Sequence, residues 1–378
     1  MDHLSLLGLL IMAVAACDAA ITVLHSDAEG WTTKCVRRAV WRAAVLIGGR
    51  VRGAQRHVLG LAGPLIVAGS FAVWLLLLTL GFALAAWPML DTGFDVPTGD
   101  AEEGPGPMEA FYFAGGTVTV LGYGDLAPLS TSARLVSLFG AATGFLLFTG
   151  MATYAIEIIN GISVRNRFTL TVHDDTRDGD GLTMYTEHLV LNGVADTRLH
   201  CRTWADGLRE LDEMVHRYPL VAFTYRSHRH EYDPEPALRH VAEAAVAALV
   251  AGERNPALST SAGSLRLALV RLQLTIADTY LGGDVVRRLN DPRPTAADHR
   301  AVTEVERLLS ERLDRTDGNG SAPGGTPGAP HPSSSEVDRS GDRWEAAETV
   351  CRSRTFLDAL HDWARSEAAP HAWETAGS

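Results

Sequence analysis

Three long apolar stretches alternate with more polar segments along this chain. They cover Leu4–Leu24, Leu65–Trp87 and Leu135–Ile159. Each stretch is long enough to cross a hydrocarbon core of about 30 Å, which takes roughly 20 helical residues. The pattern predicts three transmembrane helices, followed by a long polar region that extends to the C-terminus.

The first stretch has one alternative interpretation, a secretory signal with a lipoprotein cleavage box at Val14–Cys17. Signal peptides begin with positive charge, whereas this chain begins with Asp2 and His3, and its apolar run continues to Leu24. A retained helix is therefore favoured.

The charges of the connecting segments predict the orientation in the membrane. The segment between the first two stretches is basic and contains Lys34, Arg37, Arg38, Arg42, Arg50, Arg52 and Arg56. The next connection is acidic and contains Asp91, Asp95, Asp100, Glu102, Glu103 and Glu109. Because cytoplasmic loops collect Lys and Arg, we expect the N-terminus outside the cell and everything after Ile159 in the cytoplasm.

The basic segment mixes cationic and apolar residues between Val40 and Arg52, a composition typical of a helix in the headgroup layer. A solvated connector remains the alternative. Pro64 is expected in the first turn of the second transmembrane helix, where a missing N–H costs no hydrogen bond.

Composition narrows the class of protein. With 46% hydrophobic and 21% charged residues, the chain is expected to combine a membrane part with a soluble part. Its net charge of −12 argues against a nucleic-acid partner. All basic residues except Lys34 are arginines, a hint of a GC-rich bacterial genome, so the bacterial plasma membrane is the expected location. The isolated cysteines Cys17, Cys35, Cys201 and Cys351 predict neither disulfides nor a metal site.

A short apolar and aromatic segment, Pro107 to about Thr117, lies between the second and third stretches. It is too short to span a bilayer and is therefore predicted to be a re-entrant helix. Gly122 and Gly124 follow it and can adopt left-handed backbone angles without a Cβ clash, which would turn successive carbonyl oxygens toward one axis. Four such segments around an axis would form carbonyl rings that replace the hydration shell of a potassium ion.

The run Leu121-Gly122-Tyr123-Gly124-Asp125, with the helices on both sides, resembles the filter and pore module of the tetrameric potassium channels. The resemblance covers about Leu65 to Asn160. It implies a homotetramer in which Val120–Gly124 bind potassium ions, while Thr117, Thr119 and Asp125 support the filter. The family usually has Thr where this chain has Val120; an extended strand would point the Thr119 side chain away from that position. Potassium over sodium selectivity is therefore open, although potassium is favoured.

Gly144 lies where the resemblance implies a gating hinge in the third helix. Close helix packing is the alternative for its neighbours Gly140 and Gly150. Glu157, the only acid of that helix, would either face the inner mouth of the pore or lie at the interface. In the first helix, Asp18, Thr22 and His25 share one face, either as a functional site or, as favoured, as polar contacts with a neighbouring helix. This first helix resembles that of a group of actinobacterial ion-channel proteins.

The polar region is predicted to be mainly helical. The predicted helices are Thr203–Arg217, Pro236–Ala251, Ser264–Leu281, Thr295–Leu313 and Arg343 to about Ser366. Thr203 is expected to cap the first of these. Phe168–Val172 alternates in polarity and predicts a short strand. Two weak metal motifs, Asp178–Glu187 and His228–His240, are interpreted as an acidic turn and a solvated loop.

The sequence therefore predicts an all-α membrane protein with three transmembrane helices, a re-entrant loop and a helical cytoplasmic domain. Its expected parts are a transmembrane helix (1–25), a basic linker (26–63), a pore module (64–160), a helical domain (161–315), a disordered linker (316–342) and a C-terminal helix with its tail (343–378). The expected function is passive potassium conduction, with the lipid bilayer as surroundings. The motifs of common enzymes, such as a P-loop or HExxH, are missing from the sequence, so neither catalysis nor an organic cofactor is expected. The alternatives are a weakly selective cation channel and a non-conducting receptor; the gating stimulus and any cytoplasmic ligand are not predicted.

Overall fold

A computed structural model describes residues 3–24, 30–50, 55–95, 106–177, 179–222, 225, 229–317 and 336–366 of the chain. It divides into two compact units, Met1–Ile159 and Asn160–Ser378. The described residues form eleven α-helices and two very short strands. The predicted all-α class is confirmed for both units.

The first unit begins with three helices, α1 (His3–Leu24), α2 (Trp31–Arg50) and α3 (Gln55–Gly93). Helices α1 and α3 are long and apolar enough to cross a membrane. The first two predicted transmembrane stretches lie within these two helices, so their helical structure is confirmed.

Helix α3 starts earlier than the sequence indicated. Pro64 lies inside α3 and not in its first turn, so that prediction is wrong. Pro88 is a second internal proline. Each leaves one carbonyl oxygen in the preceding turn without its helical N–H donor. The helix continues through both positions because its neighbours pack along it.

Small residues allow α1 and α3 to approach closely. A Cβ on Gly8 would lie 2.4 Å from the Gly81 carbonyl oxygen, and a Cβ on Gly81 would lie 2.8 Å from the Gly8 oxygen. The two backbones therefore touch. Such contacts are typical of transmembrane helices, where close van der Waals packing replaces the hydrophobic effect.

The basic segment forms helix α2, which packs against α3. Trp41 and Ala44 are buried on its inner face, at 6% and 5% exposure. The interpretation of this segment as a solvated connector is therefore wrong. Val36 lies opposite Gly69, whose Cβ would be 3.0 Å from a Val36 methyl carbon.

The rest of the first unit consists of β1 (Phe94–Asp95), α4 (Pro107–Val118), β2 (Ala127–Pro128) and the beginning of α5 (Thr131–Thr176). The two strands pair antiparallel, with Phe94 opposite Pro128. This pair joins the end of α3 to the start of α5 and encloses α4 with the segment that follows it.

Helix α5 is apolar and long enough to span a membrane, and it contains the third predicted stretch. It continues without interruption to Thr176. The predicted strand at Phe168–Val172 is therefore wrong. Phe168, Thr169 and Val172 are buried, whereas Leu170 and Thr171 are partly exposed, because a helix brings positions three and four apart to one face.

The second unit contains the end of α5 and six further helices: α6 (Gly181–Arg217), α7 (Pro234–Arg254), α8 (Pro256–Ile276), α9 (Gly283–Asn290), α10 (Ala296–Asp317) and α11 (Glu336–Ser366). A π-helical turn, Ala277–Leu281, extends α8. Helix α11 starts within the segment predicted to be disordered; residues 318–335 of that segment lie outside the described residues.

Helix α6 starts well before the predicted cap at Thr203. Thr203 lies inside the helix, where its hydroxyl donates to the Leu199 carbonyl oxygen at 3.0 Å, so the predicted cap is wrong. Asp180 is the actual N-cap and accepts a hydrogen bond from the Thr183 amide. Gly193, at φ 78°, breaks the regular helix midway.

Helix α7 is the centre of the second unit. Its residues from Ala244 to Gly252 are all buried. The many alanines of this stretch let α6, α8, α10 and α11 pack around it. Trp204 and Tyr185 of α6 and Phe356 of α11 are the largest buried side chains of the surrounding helices.

Candidate functional site

Helix α4 supports the predicted filter, Val120–Gly124, from behind. Pro107 begins the helix, where its missing N–H costs nothing. Phe113 lies between two aromatic rings, 5.8 Å from Phe82 of α3 and 4.7 Å from Phe94 of β1. Val118 at the other end of α4 is fully buried. Aromatic packing at such distances holds α4 firmly against α3.

The backbone leaves α4 through a tight turn. Thr119 caps the helix with φ −83° and ψ −1° and donates its amide to the Gly115 carbonyl. Its hydroxyl also donates to the Gly115 oxygen, at 2.6 Å. The predicted extended conformation at Thr119 is therefore wrong, because the residue still belongs to the helical turn. Its hydroxyl is directed back into α4.

Three residues of the predicted filter have left-handed backbone angles. Gly122 and Gly124 have φ of 62° and 80°, as their sequence pattern predicted. Val120 has φ 60°, which the sequence did not suggest, since β-branched residues rarely adopt this region. Such a residue typically stores about 1–3 kcal/mol of strain and persists only where its surroundings hold it. Here the Leu121 amide donates to the Gly116 carbonyl at 2.8 Å and closes the turn around Val120.

One hydrogen bond fastens the far end of the predicted filter to α4. The Tyr112 hydroxyl donates to an Asp125 carboxylate oxygen at 2.8 Å. The other Asp125 oxygen accepts the Leu126 amide. The rings of Tyr112 and Tyr123 are nearly parallel, with centroids 6.1 Å apart. Tyr112 is thus the partner of Asp125, which the sequence analysis missed, and the role of Asp125 in supporting a filter stays a prediction.

The predicted filter lies on an open face of the chain. Leu121 and Tyr123 are 58% and 66% exposed, although both are large apolar side chains. A cleft of about 490 Å³ adjoins Tyr123 and is lined in part by Thr117, Gly116 and Leu138. Exposed apolar groups of this size beside a cleft are typical of an interaction surface.

Gly144 contacts α4 more closely than any side chain would permit. A Cβ at this position would lie 1.9 Å from the Val118 carbonyl oxygen. Gly140 faces the Phe82 ring, 2.6 Å from a would-be Cβ, whereas Gly150 is in ordinary contact with Val23, at 3.7 Å. The close-packing interpretation thus describes Gly140 and extends to Gly144. The hinge role of Gly144 stays a prediction.

Asp18 joins three helices of the first unit. Its side chain is buried, with one oxygen accepting the Trp74 indole N–H at 2.8 Å and the other accepting the Thr32 amide at 3.1 Å. Thr22 accepts the Gly30 amide at 2.9 Å. These are the contacts expected of polar packing between helices. His25, the third predicted member of this face, lies outside the described residues.

The remaining predicted sites are not brought together. Asp100, Glu102 and Glu103 of the acidic connection lie outside the described residues, as do Asp178 and His228 of the two metal motifs. In the part of the chain that the structure describes, no group of three or more His, Cys, Asp or Glu side chains is arranged to hold a metal ion. Glu157 is half-buried on α5.

Three features of the first unit differ in how far the sequence could have indicated them. Trp74 and Asp18 are 56 positions apart, and nothing in the sequence around Trp74 distinguishes it as a hydrogen-bond donor to a carboxylate. The contact between Gly144 and Val118 could have been suspected from the small residue alone. The left-handed angle at Val120 could not have been suspected, because β-branched residues rarely adopt such an angle.

Comparisons with known proteins agree with a channel-like first unit. Residues 70–160 match the family model described as Ion channel. The uncharacterized membrane protein YdjJ of Bacillus subtilis (strain 168) is 25% identical over 231 residues, which are 59% of this chain and 63% of that protein. The chain thus spans less than two thirds of that relative. The search of solved structures gave no match. Residues 70–160 are thus similar to an ion-channel family, and this similarity together with the apolar helices supports a membrane location.

Proposed function

We propose that this protein is a potassium-selective channel in which four copies surround one axis. The observation that carries the proposal is the left-handed backbone at Gly122 and Gly124, on an open face of the chain. Left-handed angles at every second residue help to direct successive carbonyl oxygens to the same side, as a ring of potassium ligands requires. Each chain has one such segment, so four copies are needed to close a ring.

The exposed side chains beside this segment support assembly into a tetramer. Leu121 and Tyr123 are apolar over much of their surface and remain exposed in one chain. Neighbouring copies would cover them and leave the carbonyl groups facing the axis. The bacterial plasma membrane, with the N-terminus outside and the second unit in the cytoplasm, is the location and orientation that the loop charges favour.

A weakly selective cation channel is the second candidate, and one observation favours it. The Thr119 hydroxyl is held against the Gly115 carbonyl oxygen of α4 by the hydrogen bond that it donates. Val120 offers no hydroxyl in its place. The innermost ion site would then have carbonyl ligands on one side only, which weakens the preference for potassium over sodium.

Planar-bilayer recording of the purified protein tests both candidates. The reversal potential in opposed potassium and sodium solutions measures the selectivity. If the protein is a potassium channel, the reversal potential of the native protein lies close to the equilibrium potential of potassium. In Gly122→Ala it should shift toward zero, since the added Cβ opposes φ 62°. Gly150→Ala is the control, because that Cβ has room.

The outcomes are distinct. A reversal potential near zero in the native protein, with currents still carried by both cations, would support the weakly selective channel. Unchanged selectivity in Gly122→Ala would contradict the assignment of the filter. Absence of current under all ionic conditions would contradict conduction itself.

A further inference from the structure

Helix α2 has a charge pattern of one sign. Its twenty residues, Trp31–Arg50, include Lys34, Arg37, Arg38, Arg42 and Arg50 but neither Asp nor Glu. An ordinary surface helix carries charges of both signs, which pair along its face. A helix with cations alone attracts an anionic partner from outside.

The cations of α2 are concentrated on the face that α3 leaves uncovered. Thr33, Trp41 and Ala44 are buried. On the opposite side Lys34, Arg38 and Arg42 are exposed, spaced so that they follow one another along the helix. Trp31 stands at the start of the same face with 77% of its surface exposed. We call these four residues the basic face.

Within the described part of the chain, Lys34, Arg38 and Arg42 make no salt bridge. The salt bridges that the structure shows there lie in the second unit, as with Arg239 and Glu235. The three cations are therefore available to an external anion. Their distribution over about two helical turns, roughly 12 Å, suits an extended anionic surface.

The contacts of α1 and α2 with α3 indicate the depth of the basic face in the membrane. Helix α1 has 22 residues, about 33 Å, which is just enough to cross the hydrocarbon core. Asp18 of α1 contacts Trp74 of α3, and Gly8 of α1 contacts Ala85 of α3. Helix α2 packs against the part of α3 that precedes Trp74, with Val36 opposite Gly69.

Asp18 fixes where α2 begins. It lies near the end of α1 and accepts the amide of Thr32 in the first turn of α2. The negative carboxylate also suits the positive end of the helix dipole. Trp31 is thereby held about 9 Å, six helical residues, before the end of α1 at Leu24. Tryptophan favours the interface between hydrocarbon and water, and Lys34 and Arg38 follow Trp31 along α2 in the direction of the end of α1, toward the side where lipid phosphates lie.

We propose that the basic face of α2 binds the phosphate groups of anionic phospholipids in the adjacent leaflet. Lys34, Arg38 and Arg42 contact the headgroups, and Trp31 inserts beside them at the hydrocarbon boundary. The proposal goes beyond ion conduction and does not depend on it. Its test is a binding measurement that requires no current.

The test uses the full-length protein reconstituted in phosphatidylcholine vesicles that contain brominated lipid. Bromine quenches tryptophan emission at short range, and the difference between the native protein and Trp31→Phe isolates the emission of Trp31. At equal mole fraction, brominated phosphatidylglycerol is expected to quench Trp31 more than brominated phosphatidylcholine. The ratio of the two effects measures the preference for the anionic headgroup.

Two variants identify the groups responsible. The triple variant Lys34→Gln, Arg38→Gln and Arg42→Gln should lose the preference for the anionic lipid. Each cation removed should lower the quenching ratio by about fivefold. Lys34→Arg with Arg38→Lys and Arg42→Lys keeps the charges and should keep the preference. Arg287→Gln with Arg288→Gln, in exposed positions of α9, should leave it unchanged. If the triple glutamine protein fails to fold, Arg38→Gln alone should show a partial loss.

Three results would overturn the proposal. One is equal quenching of Trp31 by the two lipids in the native protein. Another is an unchanged preference when the three cations are replaced by glutamine. The third is that neither brominated lipid quenches Trp31 in the native protein, which would show that the basic face contacts an acidic protein surface and not lipid phosphate. A preference that disappears in 1 M salt, where charges are screened beyond about 3 Å, would support it.

Discussion

Gly144 and Val118 touch backbone to backbone, with the Val118 carbonyl oxygen only 1.9 Å from where a Cβ on Gly144 would lie. The glycine belongs to α5 and the valine ends α4, one residue before the turn into the predicted filter. The contact thus fixes the distance between the long helix and the base of the filter segment. Any side chain at residue 144 must push α4 or α5 aside.

Gly144→Ala is therefore expected to disturb the filter as well as any hinge motion. The added methyl group displaces the end of α4, and the reversal potential in mixed potassium and sodium should shift toward zero. Gly150→Ala, with 3.7 Å to the nearest atom, is the control. If Gly144→Ala lowers only the open probability and leaves the reversal potential unchanged, its role is that of a hinge.

Val120→Gly is expected to stabilise the fold. Valine is strained at φ 60°, whereas glycine adopts this angle freely. The free energy of unfolding should therefore increase by about 1 kcal/mol, and the thermal midpoint should rise with it. Val118→Gly is the matched control: this valine is helical and fully buried, so its loss should lower the midpoint. A lower midpoint in both variants would contradict the strain at Val120.

Val120→Thr addresses ion binding at the same position. The new hydroxyl group would add a ring of oxygen ligands at the inner end of the filter, and block by barium should become tighter. The measurement is the concentration of barium that halves the single-channel open time. Identical block in the native protein and the variant would show that residue 120 contributes no side-chain ligand.

Asp18→Ala should destabilise the first unit, because the Trp74 indole and the Thr32 amide would both lose their acceptor. Each buried donor left without a partner costs about 1–3 kcal/mol. Trp74→Phe removes one of these donors, so the double variant should lose less than the sum of the two single ones. Thermal unfolding in detergent measures this coupling, and strictly additive losses would argue against the hydrogen bond.

His200 predicts a pH dependence of stability in the second unit. Burial lowers the pKa of His200, an effect that nearby His188 strengthens and Asp175 and Asp196 oppose. As the pH falls, the unfolded chain, with a histidine pKa of about 6.5, therefore takes up this proton at a higher pH than the folded protein does. The free energy of unfolding should thus be highest above pH 6.5 and should decrease as the pH falls below that value.

The unfolding midpoint at several pH values from about 7.5 to 5 measures this effect. His200→Gln should flatten the decline, since glutamine takes up no proton. His299→Gln changes an exposed histidine and serves as the control. An equally steep decline in the His200 variant would assign the acid sensitivity to other groups.

The sequence by itself determined the features that depend on local pattern. Length and hydropathy defined the apolar helices, because the bilayer thickness sets how many residues a span needs. The short segment from Pro107 predicted α4, and residue type predicted the left-handed angles of Gly122 and Gly124. In each case the cause lies within a few residues of the effect.

Only the tertiary structure decided what depends on neighbours distant in the chain. Phe168–Val172 alternates like a strand but is helical, because α5 continues through it and buries one side of it in the second unit. Val120 takes a strained angle because the Leu121 amide closes a turn onto Gly116 of α4. Asp18 accepts the hydrogen bond from Trp74 only when α1 packs on α3. Local propensity is weak compared with packing, so contacts between helices determine these positions.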